Sequence, residues 1–273
     1  MIERNKALLE LQNLGPANPK YLNVMKEAEA SCRPLIAAAL GADESEVALT
    51  QSTTAGLNVV LWSIDWRAGD EIIISDEEHP ALLVPVYNLR DRLGVVARVV
   101  SMTLAEDLVV GVVAKLTSRT RLVAMSHVSR QSGTVVPARA LTAALRPHEV
   151  PLLLDGAQGP GNVPVNFHEI GCDYYSLCGH KWLLGPKGTG ALLIRRDRLD
   201  RTPVSWTGAQ RGDGARGGPQ LDGTLGQPAD FLVSPHREFR PAHAGRDIES
   251  GEERDAGDGP PVASLAGGDA RNA

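Results

Sequence analysis

The chain has 273 residues, of which 42% are hydrophobic and 22% charged, and its formal net charge is -5. This length and composition suit one large α/β domain or two smaller ones. The acidic balance, without a dense block of lysine and arginine, argues against a nucleic-acid-binding or anionic-membrane-binding surface. The apolar runs are far shorter than the roughly 20 residues of a membrane span. A charged N-terminus predicts no signal peptide, and three cysteines cannot build a disulfide framework, so we expect a cytoplasmic protein.

Residues 1–45 are predicted to form a helical N-terminal segment. Helical periodicity runs from residue 3 to residue 40, with prolines at the Gly15-Pro16 and Arg33-Pro34 steps. Because the residue before a proline disfavours the helical conformation, we expect the helix to break at both steps.

Residues 46–207 alternate short aliphatic runs with helical patterns, which predicts βαβ crossovers and a mostly parallel sheet with helices on both faces. Near-continuous apolar runs such as Ile72-Ile73-Ile74 suit strands buried on both sides. The strands are predicted at 47–50, 71–75, 97–102, 121–126, 151–155, 174–178 and 190–195, and the helices at 54–64, 80–93, 104–115 and 138–145.

The composition changes after about residue 207. Residues 208–273 hold 13 of the 28 glycines and 6 of the 18 prolines, and helical periodicity disappears. Such a segment has too few apolar residues to form a packed domain alone, so we expect it to be poorly ordered.

The stretch from residue 152 to residue 190 carries the chemistry. Asp155 directly follows the apolar run Leu152-Leu153-Leu154, and Lys181 comes 26 residues later, after a second apolar strand. Open α/β sheets bind ligands at the carboxyl ends of their strands, where both side chains would lie. An acid and a lysine there meet the needs of pyridoxal phosphate (PLP): the lysine forms a Schiff base, and the acid keeps the pyridine nitrogen protonated.

Four motifs resemble the class V aminotransferase family, which has the PLP-dependent fold type I. They are Thr53-Thr54-Ala-Gly-Leu-Asn, Glu78-His79-Pro-Ala, Asp155-Gly-Ala-Gln158, and Gly179-His180-Lys181-Trp182 followed by Gly-Pro-Lys-Gly-Thr-Gly. The segment Leu61-Trp-Ser-Ile-Asp-Trp-Arg-Ala-Gly-Asp70 is similar to the cystine C–S lyase branch. The resemblance covers about residues 8–207.

The resemblance implies a role for each matching residue. Lys181 would carry the cofactor, Asp155 would pair with its ring nitrogen, and Gln158 would bind its phenolic oxygen. His79 would stack on the ring and assist proton transfer. The phosphate would be held at the start of a helix by Thr53, Thr54, Cys178 and His180. Many relatives have serine at the position of Cys178.

The family also implies a homodimer whose sites form between subunits, with Thr224 reaching the partner's phosphate. Relatives continue into a smaller domain with an arginine for the substrate carboxylate, and no arginine after residue 207 matches that role, so we expect this domain to be truncated or altered. No metal is expected, because Cys172, Cys178 and His180 lack a further Cys-x-x-Cys or His pair.

Two functions follow as alternatives. The first is β-elimination at the C–S bond of cysteine, cystine or a related amino acid, favoured over desulfuration because no cysteine follows Cys178; epimerisation or transamination stays open. The second is a non-catalytic remnant of the fold that cannot orient a substrate.

Overall fold

The computed structural model describes residues 2–15, 17–102 and 105–203, and all of these belong to one compact unit. Residues 208–273, including Thr224, lie outside the described residues. The strands are β1 (Val47–Thr50), β2 (Glu71–Ser75), β3 (Val96–Val100), β4 (Thr120–Ser126), β5 (Leu152–Asp155), β6 (Tyr174–Cys178) and β7 (Gly190–Ile194). The helices are α1 (Ile2–Gln12), α2 (Pro19–Leu40), α3 (Thr53–Ser63), α4 (Pro80–Leu93), α5 (Ala105–Lys115), α6 (Ala138–Leu145), α7 (Phe167–Ile170) and α8 (Arg196–Leu199).

The strands form one sheet in the order β1-β7-β6-β5-β4-β2-β3. Strands β2 to β6 pair in parallel, whereas β7 is antiparallel to both of its neighbours. Strand β1 therefore runs in the same direction as β6, and only β7 opposes the others. This arrangement confirms the predicted α/β fold with a mostly parallel sheet and flanking helices.

Both faces of the sheet are covered, as the continuous apolar strands predicted. Ile73 packs with the cluster that includes α2, α5 and α6, while Ile72 and Ile74 pack with the cluster that includes α3 and α4. All three isoleucines are at most 1% exposed, because successive side chains of a strand point to opposite faces. No helix among the described residues has the length and apolarity that crossing a membrane requires.

One predicted helix boundary is wrong. The break near Gly15-Pro16 is confirmed, because α1 ends at Gln12 and α2 begins at Pro19, but α2 continues through Pro34 to Leu40. A proline inside a helix removes one main-chain hydrogen bond. Beyond Pro34, Ala37 and Leu40 are buried in the core, and this packing holds the last turns in place.

Helix α3 lies directly against β6, and a glycine makes this approach possible. A Cβ atom added to Gly56 would lie 2.2 Å from Ser176 Oγ, and that hydroxyl donates a 2.8 Å hydrogen bond to the carbonyl of Thr53. The first turn of α3 is thereby fixed against the end of β6.

Replacing Gly56 with Ala should lower the free energy of unfolding by about 1–3 kcal/mol, because overpacking outweighs the gain in helix propensity of about 1 kcal/mol. The matched control is Gly111→Ala in α5, where an added Cβ meets nothing within 4 Å, and this variant should be stabilised. Removing the opposing hydroxyl with Ser176→Ala should restore part of the stability lost in Gly56→Ala. The free energy of unfolding is measured by urea denaturation for the parent, Gly56→Ala, Gly111→Ala and the double variant Gly56→Ala/Ser176→Ala. Equal effects of the two glycine substitutions on this free energy would contradict the close approach of α3 to β6.

Candidate active site

The predicted site residues within the described part of the chain follow the carboxyl ends of four strands. Thr53 and Thr54 come after β1, His79 after β2, and Asp155 and Gln158 belong to the end of β5 and the loop beyond it. Cys178 ends β6, and His180 and Lys181 follow it. Because these four strands run in one direction, the residues gather at one edge of the sheet, where the sequence analysis expected Asp155 and Lys181 to lie.

Asp155 is a deeply buried carboxyl group at this edge, with 4% of its surface exposed. Its Oδ1 accepts a 2.9 Å hydrogen bond from the N–H of Ala157. Burial raises the pKa of Asp155, and the Ala157 N–H and the positive charge of Lys181 partly oppose this shift. The positive charge of Lys181 therefore favours the ionised carboxylate, and a further cationic partner would stabilise it more.

His79 is the N-cap of α4, where its Nδ1 accepts a 2.9 Å hydrogen bond from the N–H of Ala81. An accepting Nδ1 carries no proton, so the neutral ring has its proton on Nε2. Burial lowers the pKa of His79, and the positive charges of Arg130 and Lys181 lower it further. The imidazole is therefore held neutral in a fixed orientation.

Lys181 lies at the start of a tight loop. The N–H of Leu184 donates to the carbonyl of Lys181 at 3.0 Å, and the N–H of Gly185 donates to the carbonyl of Gly179 at 2.6 Å. A Cβ on Gly179 would lie 2.4 Å from Thr189 Oγ1, so the loop closes only with glycine at that position. The side chain of Lys181 is half-buried, and among the described residues its amine has no hydrogen-bond partner.

Gln158 connects the loop after β5 to the loop of Lys181. The indole Nε1 of Trp182 donates a 2.7 Å hydrogen bond to Gln158 Oε1. Because that oxygen is engaged, the Nε2 amide group is the part of Gln158 that can donate to a ligand.

The N-terminus of α3 provides donors for an anion. Ser52 caps the helix by accepting from the N–H of Ala55 at 3.1 Å, which leaves the N–H groups of Thr53 and Thr54 at the positive end of the helix dipole. Thr53 Oγ1 is buried and has no hydrogen-bond partner among the described residues, whereas Thr54 is exposed.

Cys178 ends β6, the strand that contacts the N-terminus of α3 through Ser176, and His180 follows two residues later. Side chains two residues apart on a strand share a face, so Cys178 lies on the same face as Ser176, whose hydroxyl reaches Thr53. Cys178 itself is buried, with Sγ 4.0 Å from the carbonyl oxygen of Ala157, and His180 is exposed.

The sequence reasoning assigned no role to Glu78, although it belongs to one of the quoted motifs. Its buried carboxylate accepts hydrogen bonds from the hydroxyl of Ser75 at 2.5 Å, and from the N–H and hydroxyl of Ser126 at 2.7–3.0 Å. Burial raises the pKa of Glu78, and the negative charge of Asp155 raises it further. Glu78 joins the ends of β2 and β4 and thereby fixes the segment that carries His79.

The sequence also indicated no role for His127 and Tyr175, which lie beneath the loop of Asp155 and Gln158. His127 Nδ1 and the Tyr175 hydroxyl are 2.9 Å apart, and burial lowers the pKa of His127. A Cβ on Gly156 or Gly159 would lie 2.1 or 2.2 Å from the side chain of Tyr175. The loop can therefore rest on Tyr175 only because these two positions are glycine.

The sequence pattern of the family described as Aminotransferase class-V matches residues 18–213, which is more than half of the chain. The chain belongs to the class-V aminotransferase family. Membership confirms the family that the four motifs suggested.

Curated relatives in this family include a cysteine desulfurase of Klebsiella pneumoniae subsp. pneumoniae, 40% identical over 170 residues, which are 60% of this chain and 41% of that protein. Isopenicillin N epimerase of Streptomyces clavuligerus is 34% identical over 181 residues, 64% of this chain and 46% of the epimerase. The chain thus spans less than half the length of these two class-V relatives.

Among solved structures, the cystine C–S lyase C-DES in complex with cysteine persulfide is 32% identical to this chain, with a TM-score of 0.72 over 80% of this chain and 60% of that one. A lysine-to-alanine mutant of C-DES, with glycine covalently linked to the PLP cofactor, is 31% identical to this chain. Its TM-score is 0.71, and the match covers 76% of this chain and 56% of that one. These class-V neighbours confirm the fold type, and they confirm PLP-dependent enzyme chemistry at the level of the family.

Proposed function

We propose that this chain forms the cofactor-binding part of a PLP-dependent enzyme that cleaves the C–S bond of cysteine, cystine or a related amino acid by β-elimination. The observation that supports this most directly is the burial of Asp155 at the sheet edge where Lys181 and His79 also lie. A buried carboxyl group with one main-chain hydrogen bond is poorly compensated in the protein alone, and a protonated ring nitrogen would complete its pairing.

The other residues at this edge also fit PLP. The buried Thr53 hydroxyl, which has no partner among the described residues, and the N–H groups of Thr53 and Thr54 suit a phosphate. By the resemblance to the family, Cys178 at the end of β6 and His180 just after it would complete the phosphate site. Gln158 keeps an amide donor for the phenolic oxygen. The neutral His79 ring would cover one face of the cofactor, and the Lys181 amine, without a hydrogen-bond partner among the described residues, is free to attach to it.

The reaction uses these residues as acids, bases and electrostatic supports. When bound, the cofactor supplies an electron sink for the negative charge that develops at the substrate Cα. Lys181 Nζ takes the proton from Cα and can return a proton to the departing sulfur. Asp155 keeps the ring nitrogen protonated, which requires an ionised carboxylate. The neutral imidazole of His79 orients the reacting face and can exchange a proton at Nε2.

The choice of a C–S bond is supported by the relatives whose names mention cysteine or cystine. A second candidate, epimerisation at Cα, is supported by the 34% identity to isopenicillin N epimerase. Both reactions begin with removal of the same proton, so the residues described here serve either one.

The test is to load the purified chain with PLP and add cystine. We expect a visible absorbance that changes on addition of cystine, and release of pyruvate. After borohydride reduction, peptide mapping should find the cofactor on Lys181. A label on Lys187 or Lys115 instead would contradict the assignment. Bound PLP without pyruvate, together with loss of optical activity of the amino acid, would favour the epimerase, and no turnover of any amino acid would favour the non-catalytic remnant.

A further inference from the structure

The segment after β4 lies between two parts of the candidate site. In the sheet, β4 is the neighbour of β5, which ends at Asp155, and of β2, which is followed by His79. The N–H of His127 donates to the carbonyl of Asp155 at 2.9 Å, so the segment leaves the sheet beside the carboxyl that the cofactor would contact.

Two consecutive glutamates clamp this segment to the one that carries His79. Glu78 holds Ser126, as described above, and Glu77 Oε2 accepts hydrogen bonds from the hydroxyls of Ser129 and, at 2.6 Å, Ser132. Ser129 Oγ also accepts from the N–H groups of Gln131 and Ser132 at 3.1 and 3.2 Å. Residues 129–132 therefore form a tight turn in a fixed position next to His79.

Arg130 lies within this turn and is exposed. Among the described residues it forms no hydrogen bond or ion pair, because the nearby carboxylate of Glu77 is engaged by the two serine hydroxyls. The hydrogen bonds from Ser129 and Ser132 to Glu77 place Arg130 close to His79 along the site, and the positive charge of Arg130 lowers the pKa of His79.

The sheet order separates this cation from the predicted phosphate site. Strand β1, which leads into the N-terminus of α3, is four strand positions from β4. At roughly 4.8 Å per strand the separation is roughly 19 Å, which is longer than an arginine side chain. Arg130 is thus placed to meet an anion beside His79 rather than the phosphate.

We propose that Arg130 binds the α-carboxylate of the amino-acid substrate, and this inference rests on the proposed function. A guanidinium binds a carboxylate through two parallel charge-assisted hydrogen bonds, which fix the orientation as well as the position of the ligand. Arg130 would then distinguish α-amino acids from amines that have no carboxylate.

The test compares L-alanine, which has no leaving group on its β-carbon, with ethylamine, the same molecule without its carboxylate. Binding of each to the PLP-loaded chain is followed by visible absorbance. Arg130→Gln should raise the dissociation constant of L-alanine about 10- to 100-fold and leave that of ethylamine unchanged. Arg130→Lys should raise the dissociation constant of L-alanine by a smaller factor, because lysine keeps the positive charge but cannot form the two parallel hydrogen bonds.

The matched control is Arg146→Gln, an exposed arginine that precedes β5 at the opposite edge of the sheet, and both ligands should bind this variant as they bind the parent. Equal binding of L-alanine to the parent and to Arg130→Gln would overturn the role of Arg130 while leaving the proposed function intact. Weaker binding of both L-alanine and ethylamine to Arg130→Gln would also overturn the role of Arg130, since the effect of the substitution would then be structural. A parent chain that binds no PLP would contradict the proposed function, and the inference with it.

Discussion

Replacing Lys181 with Ala should abolish covalent attachment of PLP and slow α-proton exchange at least about 1000-fold. The substitution removes both the amine that attaches to the cofactor and the base that takes the proton, and a positioned base alone contributes about 100- to 10,000-fold. Exchange is measured by the incorporation of deuterium at Cα of L-alanine, and attachment by the intact mass after borohydride reduction.

Lys187→Ala is the control for this experiment, because Lys187 is an exposed lysine only six residues further along the same loop region. We expect this variant to keep both the mass increase and the exchange rate of the parent. Retention of both properties in Lys181→Ala, with their loss in Lys187→Ala, would move the covalent site to the second lysine.

Replacing Asp155 with Asn should slow α-proton exchange by roughly 100-fold or more, because an amide cannot stabilise the positive ring nitrogen by its charge. The fold should survive, since the amide oxygen can still accept from the N–H of Ala157 and a buried ionisable group is removed. The thermal unfolding midpoint without PLP should therefore stay close to that of the parent, or rise.

The control is Asp65→Asn, which removes an exposed carboxylate outside the site and should leave exchange unchanged. If Asp155→Asn exchanges as fast as the parent, the carboxylate does not support the ring nitrogen. If the variant unfolds at a much lower temperature instead, the role of Asp155 is structural.

The sheet and the grouping of the site could be predicted because both depend on local patterns. Strands such as β2 and β6 are short apolar runs between turn signals, and their observed bounds equal the predicted ones. Once these strands are taken as parallel, their ends meet at one edge, so Asp155 and Lys181 come together without any knowledge of side-chain contacts. The individual roles of these residues stay predictions.

The remaining features depend on contacts between distant parts of the chain. Helix α2 passes through Pro34 because residues beyond it pack in the core, and the local proline signal cannot include that stabilisation. Glu78 and Ser126 are 48 residues apart, and a glutamate in a turn has the same sequence pattern whether it is solvated or buried under two strands. Arg130 resembled any polar turn residue until the positions of Glu77 and His79 were known.

The order of the strands also has a consequence for synthesis on the ribosome. Strand β1 is made first, yet its only neighbour in the described sheet is β7, which follows about 140 residues later. At roughly 5–20 residues per second, β1 waits about 7–28 s before its partner is translated. Throughout that interval an apolar strand edge has no native partner in the nascent chain, and such edges are sites of misassociation. Chaperone binding to the nascent chain should therefore be strong while β7 is unsynthesised or still inside the exit tunnel, and it should fall once β7 leaves the tunnel.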